Sequence, residues 1–416
     1  MRYSMGVGCA WVLVAISMAG CSNDGESAQT AWCPVADPPT GLSWDLQAAS
    51  FPESLTGTVV GGIYRTADGG WTWTSQEAPS QVENFQDVAF ADVNTGTIVG
   101  PGGTILKTTD GGDTWTEQDS GTEAALHGVS FFDSDQGMAV GAEGTILRTS
   151  DGGSTWVAQD SGTDVLLRGV WITDPSSATV VGDSGTILRT TDGGENWMAQ
   201  ESGTELDLHA VSFASSTTGV AVGAGVTMLR TTDGGATWAV QDVATRAPLY
   251  DVWFADESVG TAVGAGATIL RTTDAGATWS PEETDAYYFY WETGMEPVQL
   301  GATFHGVSMA DADHGVSVGE FGHVVRRMSV QDNFGVCDAF CAKYDECYPK
   351  EIAPCDISCR CELRYSNVID PDCESADADL LRCVSRLTCE QIDALFDPDT
   401  EAPCAAEIDQ VNATCG

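Results

Sequence analysis

The chain has 416 residues, 47 of them glycine, and sets 17 basic against 61 acidic residues for a formal net charge of −44. That balance excludes nucleic acid as a partner, since phosphate binding needs clustered Lys and Arg, and it repels anionic lipid headgroups. Abundant glycine with few charges suits many short strands joined by tight turns, in a chain long enough for two or more domains.

Residues 1–21 read as an export signal. Arg2 gives a positive start, Val7 to Ile16 an apolar core, and Ser17-Met18-Ala19-Gly20-Cys21 resembles a bacterial lipobox. Cleavage before Cys21 would leave a lipid-anchored amino terminus, and the Ser22-Asn23 that follows favours an outer-membrane or cell-surface address. Residues 22–42 are polar and proline-containing, as a tether should be. Cys33 lies within them and is expected to bond to a cysteine-rich module at the other end of the chain.

From about 43 to 334 one unit repeats. Its marker is D-G-G-x-T-W or a close variant, with the Asp at Asp68, Asp110, Asp151, Asp192, Asp233 and Asp274, and the Trp at Trp73, Trp115, Trp156, Trp197, Trp238 and Trp279. The steps are 42 residues once and 41 thereafter, a constancy that requires a repeated structural unit. In each marker the Asp is placed to accept N–H bonds from its own turn, the glycines supply positive φ, and the Trp is expected to bury between units. The third unit predicts four strands, over 127–131, 137–140, 145–149 and 155–159, each flanked by Gly, Asp or Ser. Four strands every 41 residues make the blade of a β-propeller. The apolar residue ending the first strand recurs at Phe51, Phe90, Phe131, Ile172, Phe213, Phe254 and Met309, so the expected fold is an all-β, seven-bladed propeller. The seventh blade lacks the marker, and its fourth strand is expected from 329–332 or from Ser43-Trp44-Asp45-Leu46-Gln47. Residues 335–416, with eleven cysteines and no C-x2-C pair, read as a disulfide-held, helix-compatible module rather than a zinc site.

Candidate binding residues are those that vary while the frame stays fixed. Four positions before the end of each first strand stand Gln47, Gln86, His127, Arg168, His209, Tyr250 and His305, expected to ring the mouth of a central channel with Glu143, Asp183 and Glu320 beside them. The link between blades six and seven carries five consecutive aromatics, among them Tyr288 and Trp291, which either contact a partner or plug the channel. The basic residue before each turn (Arg65, Lys107, Arg148, Arg189, Arg230, Arg271, Arg326) is demanded equally by every blade and is read as structural, bonding turn carbonyls or a neighbouring Asp. The mixed chemistry of the ring argues against a metal, and no cofactor is expected.

The S/T-x-D-x-G-x-T-W phrase resembles the Asp-box (BNR) repeat. Together with the V-x-F-x-D-x-x-x-G-x-x-V-G that precedes it, the chain over about 43–328 resembles the photosystem II stability/assembly factor family. The resemblance implies a non-enzymatic propeller that holds a protein partner, a glycan being the other candidate ligand; the cysteine-rich tail and the missing seventh marker depart from the family pattern. Asp-box propellers also include sialidase-like glycoside hydrolases, the alternative reading. A sialidase needs three arginines gripping a carboxylate, whereas only ten basic residues lie between 22 and 334, seven of them at the repeated position.

Overall fold

A computed structural model describes residues 30–34, 45–70, 72–79, 82–243, 245–282, 284, 287–290, 298–320 and 322–329. Seven four-stranded antiparallel sheets succeed one another round a ring. Blade three is typical: Leu126–Phe131 is innermost, followed outward by Gly137–Gly141, Ile146–Thr149 and Val157–Gln159. These are the four strands expected from the repeat, the last beginning two residues later than predicted.

Each blade buries both faces, and the described residues form seven apolar clusters, one per blade interface. Between blades three and four, for example, Met138, Val140 and Ile146 meet Leu167, Val170, Ile172 and Val180. Trp73, Trp115 and Trp279 are buried, and Trp156, Trp197 and Trp238 are half-buried against the same clusters. In five blades the marker indole stands edge-on to the phenyl ring ending its own first strand, with centroids 6.1–6.2 Å apart. The indoles therefore lie between units, as the repeat implied.

The marker turn is held by its own side chains. In blade two the Thr108 hydroxyl donates to Asp110 Oδ1 at 2.7 Å and accepts from the Gly112 N–H at 2.9 Å. The Thr114 N–H and hydroxyl donate to the two Asp110 oxygens at 2.9 and 2.6 Å. The same network recurs at Asp68, Asp151, Asp192, Asp233 and Asp274. Hydrogen bonds from the Thr114 hydroxyl and N–H hold the Asp110 carboxyl down to about 2, because they favour the charged form. These carboxylates are committed to the frame and not to chemistry.

At five of its seven positions the repeated basic residue latches its blade to the next. Arg65 Nε donates to the Gly111 carbonyl at 2.7 Å, Arg189 Nε to Gly234 at 2.6 Å, Arg230 Nε to Ala275 at 3.0 Å, and Arg148 bonds the Gly193 carbonyl. Arg271 reaches the Ala312 carbonyl of blade seven at 2.6 Å, where the marker is missing. For these five cations the structural reading holds: each bonds a turn carbonyl of the neighbouring blade, and Arg65 also pairs with the neighbouring Asp113 at 3.0 Å.

The ring closes differently from expectation. The outermost strand of blade seven is Thr30–Pro34, paired antiparallel with Val324–Ser329. Neither 329–332 nor 43–47 supplies it, and 30–34 lies inside the stretch read as tether. Asp45, Leu46 and Gln47 instead cross between blades seven and one: the Leu46 N–H donates to Gly319 O at 3.0 Å and the Gln47 N–H to Val60 O at 2.7 Å. Leu46 is fully buried between those blades, in the cluster that also holds Phe51, Val316 and Val318. Cys21, the tract from 335 to 416 and Trp291 fall outside the described residues.

Candidate functional site: the central channel

The seven variable residues converge. Gln47, Gln86, His127, Arg168, His209, Tyr250 and His305 all line one central cavity of about 380 Å³. In blades three to seven, the residue at this position is where the pairing of the first strand with the second slips: His127 between Leu126 and Gly128, and likewise Arg168, His209, Tyr250 and His305. A bulge of this kind turns the extra residue away from the sheet and re-aims its side chain. The preceding Leu126, Leu167, Leu208, Leu249 and Phe304 are fully buried and fix the bulge in place. In sequence this shows as an apolar residue, the variable residue, then Gly, Ala or Asp, a signal that composition alone does not interpret.

The rim residues are partnered round the ring. His209 stacks on Tyr250 (5.1 Å, 16° between planes) and Tyr250 meets His305 edge-on at 5.6 Å. His209 Nδ1 lies 2.8 Å from the Leu249 carbonyl, and Arg168 Nε bonds Asp183 at 2.5 Å. Burial, with a smaller contribution from the Arg168 charge, holds His127 below its ordinary value; burial does the same to His209. Both imidazoles are therefore predominantly neutral near pH 7, and Arg168 is neutralised by Asp183. Glu143 is exposed in the turn after the second strand of blade three, and the backbone of Glu320 forms an isolated antiparallel β-bridge with that of Asp45. The aromatic link folds as a hairpin, Tyr287–Tyr290 against Val298–Gly301, with Tyr288 opposite Leu300.

Below the rim the cavity has two further layers that sequence reading missed. The next position inward holds Ala48, Asp87, Gly128, Gly169, Ala210, Asp251 and Gly306, five small residues and two acids. Two positions further are Ser50, Ala89, Ser130, Trp171, Ser212, Trp253 and Ser308. The serine hydroxyls accept an N–H from the adjacent blade, as Ser50 does from Phe90 at 3.1 Å and Ser308 from Phe51 at 3.0 Å. Trp171 and Trp253 meet edge-on at 5.5 Å, and Trp253 Nε1 donates to the Met309 carbonyl at 3.1 Å. They floor the cavity on the marker-turn side, since the marker turns bond the loops after the first strands, as Gly111 N–H does to Asn94 O at 2.8 Å. The result is a cup opening on the face opposite the Asp boxes.

Asp87 and Asp251 sit on opposing walls of the cup, in blades two and six. Each clasps its own strand to the next: Asp87 accepts from the Val88 and Val129 N–H groups, and Asp251 from Val252 and Val307, all at 2.8 Å. Burial nevertheless pushes both carboxyls up to about 7, the backbone donors opposing it and Asp87 adding to the shift of Asp251. Among the described residues no set of three metal-ligating side chains is grouped. Arg168 is the one arginine in the cavity lining, so the lining lacks the arginine triad that a sialidase would need.

Residues 75–205 match the family model for the photosynthesis system II assembly factor YCF48. Among solved structures, YCF48 bound to D1 peptide is similar at 20% identity and a TM-score of 0.56, covering 72% of this chain and 97% of that one. YCF48 from Cyanidioschyzon merolae is similar at 19% identity and 0.55, covering 72% and 98%. The GH74 xyloglucanase from Xanthomonas campestris gives 16% identity and 0.54, covering 71% of this chain and 53% of the enzyme. At these identities each likeness shows the fold alone. No curated protein sequence matches the chain. Repeat, blade count and these likenesses agree on the fold: the protein is a seven-bladed β-propeller of four-stranded blades, and within it residues 75–205 are similar to the photosystem II assembly factor model.

Proposed function

We propose that this propeller is a non-enzymatic scaffold that holds a segment of a protein partner across the open face of the cup. The observation that carries the reading is the convergence of Gln86, His127, Arg168, His209, Tyr250 and His305 on one rim while the rest of each blade repeats. A surface built only to close a ring has no reason to differ blade by blade in its bulged position. YCF48, similar in fold, has been solved with D1 peptide bound, which supports a peptide segment as the form of ligand.

The reading is tested with His127→Ala, Arg168→Ala and His209→Ala combined, in pull-downs from the source cell envelope. Partner recovery is expected to fall at least tenfold with the melting temperature unchanged. Unchanged recovery overturns the reading.

On this proposal the protein is exported and anchored through lipid on Cys21 at the outer membrane or cell surface, which would set the cup to work beside membrane-bound partners. Metabolic labelling with a fatty-acid analogue should mark the wild type and not Cys21→Ala; equal labelling, or none in either, removes the anchor.

A further inference from the structure

We propose that the cup beneath the rim is a cation-recognition pocket, which takes the ammonium or guanidinium end of a lysine or arginine side chain presented by the docked segment. The inference rests on the preceding reading for the source of that side chain and on the cup's own chemistry for its charge.

Three observations select a cation. First, Asp87 and Asp251 face one another across the cavity, and each carboxylate oxygen accepts one backbone N–H, which leaves further accepting capacity on every oxygen. Among the described residues neither has a basic side chain within ion-pair distance, and Arg168, the arginine of the lining, is engaged by Asp183. Second, the floor is aromatic: Trp171 and Trp253 lie below the carboxylates and Tyr250 stands at the rim, and aromatic faces attract cations, more strongly when water is excluded. Third, Ala48, Gly169 and Ala210 leave the middle layer open, so that about 380 Å³ remains where larger residues would close the channel. An anion entering this space would meet two carboxylates. An uncharged apolar group would strip them of water without replacing it. A basic group satisfies both walls and the floor, and the strongly acidic chain draws basic segments toward it.

The groups facing the two acids are the rim imidazoles His127, His209 and His305, the Arg168–Asp183 pair and the Tyr250 hydroxyl. Raising the pH from 5.5 to 8 ionises Asp87 and Asp251, whose carboxyls are pushed up to about 7, and empties any residual charge from His127 and His209. Both changes favour a cation, so the variants must separate them.

The test is calorimetric titration of the full chain with three small probes: Nα-acetyl-lysine amide, Nα-acetyl-arginine amide and the uncharged, near-isosteric Nα-acetyl-norleucine amide. The two cationic probes are expected to bind saturably, at least tenfold tighter than norleucine, and tighter at pH 8 than at pH 5.5. Asp87→Asn with Asp251→Asn should weaken them at least tenfold and flatten the pH dependence, whereas His127→Ala with His209→Ala should leave most of the pH dependence in place. Because the Asn variants disturb two strand clasps, Ala210→Leu, which fills the cavity wall and leaves both carboxylates, serves as the second variant and should also abolish binding. Equal binding of norleucine, no binding of any probe, or cationic binding that survives Ala210→Leu overturns the pocket. Because the probes need no partner, their failure with partner recovery intact refutes the pocket alone; their binding with the partner unaffected by the rim variants refutes the docking reading alone.

Discussion

Gly219→Ala is expected to destabilise the propeller by about 1–3 kcal/mol, the usual cost of extra carbon in a close-packed core. A Cβ at Gly219 would stand 2.7 Å from two atoms of the Phe213 ring, its cross-strand partner. Phe213 is buried and held edge-on by Trp238 at 6.1 Å, so the ring cannot swing away without opening the interface between blades four and five. The same contact recurs at Gly57, Gly96, Gly137 and Gly260, each under its own phenyl ring. Blade four already contains the compensated version: Ile172 stands where the others have Phe, and its cross-strand partner is Ala178 instead of Gly. The double variant Phe213→Ile with Gly219→Ala should therefore cost less than the sum of the singles by at least about 1 kcal/mol, a coupling of the size seen between residues in contact. Urea unfolding of the four proteins in the cycle reads this directly. Strict additivity would show that the phenyl ring does not set the glycine requirement.

Trp32→Ala should be more damaging, at about 3–5 kcal/mol, the range for removing a buried tryptophan. Trp32 is 4% exposed although it lies in the short amino-terminal strand. Its ring packs with Val263, Ile269, Phe304 and Val325 between blades six and seven, and its Nε1 donates to Glu282 Oε2 at 2.8 Å. Arg327 bonds the same carboxylate and lies over the indole at 5.9 Å. Losing Trp32 removes the apolar contact, leaves Glu282 short of a donor, and loosens the strand that covers the edge of Val324–Ser329. An uncovered strand edge pairs with other chains, so the variant should also sediment as oligomers near its unfolding midpoint. A midpoint within about 1 kcal/mol of wild type, with a monomeric profile, would mean that closure does not depend on this strand.

The marker steps of 41 and 42 residues, the flanking strand patterns and seven apolar strand ends determine the propeller, its blade count and the placing of the indoles from sequence alone. They do so because each unit must bury the same faces against the same neighbours, so the pattern repeats wherever the physics repeats. The rim was legible for the complementary reason: the side chain at this position faces the cavity instead of packing into the apolar interface between blades, so its type can change from blade to blade. The closing strand was not legible. Thr30-Ala31-Trp32-Cys33-Pro34 lacks the marker, is separated from blade one by 35–44, and acquires its role only when Val324–Ser329 offers it an edge. Asp87 and Asp251 were hidden among 61 acidic residues, since nothing local distinguishes them from solvated carboxylates. Only closure of the ring turns their strands inward, sets one acid against the other over two indoles and gives them a partly buried setting that raises their carboxyls. Local turns and packing faces are dictated by neighbours in sequence or by the next copy of the repeat; the chemistry of the cup depends on residues brought together from blades two, four and six, and exists only in the closed ring.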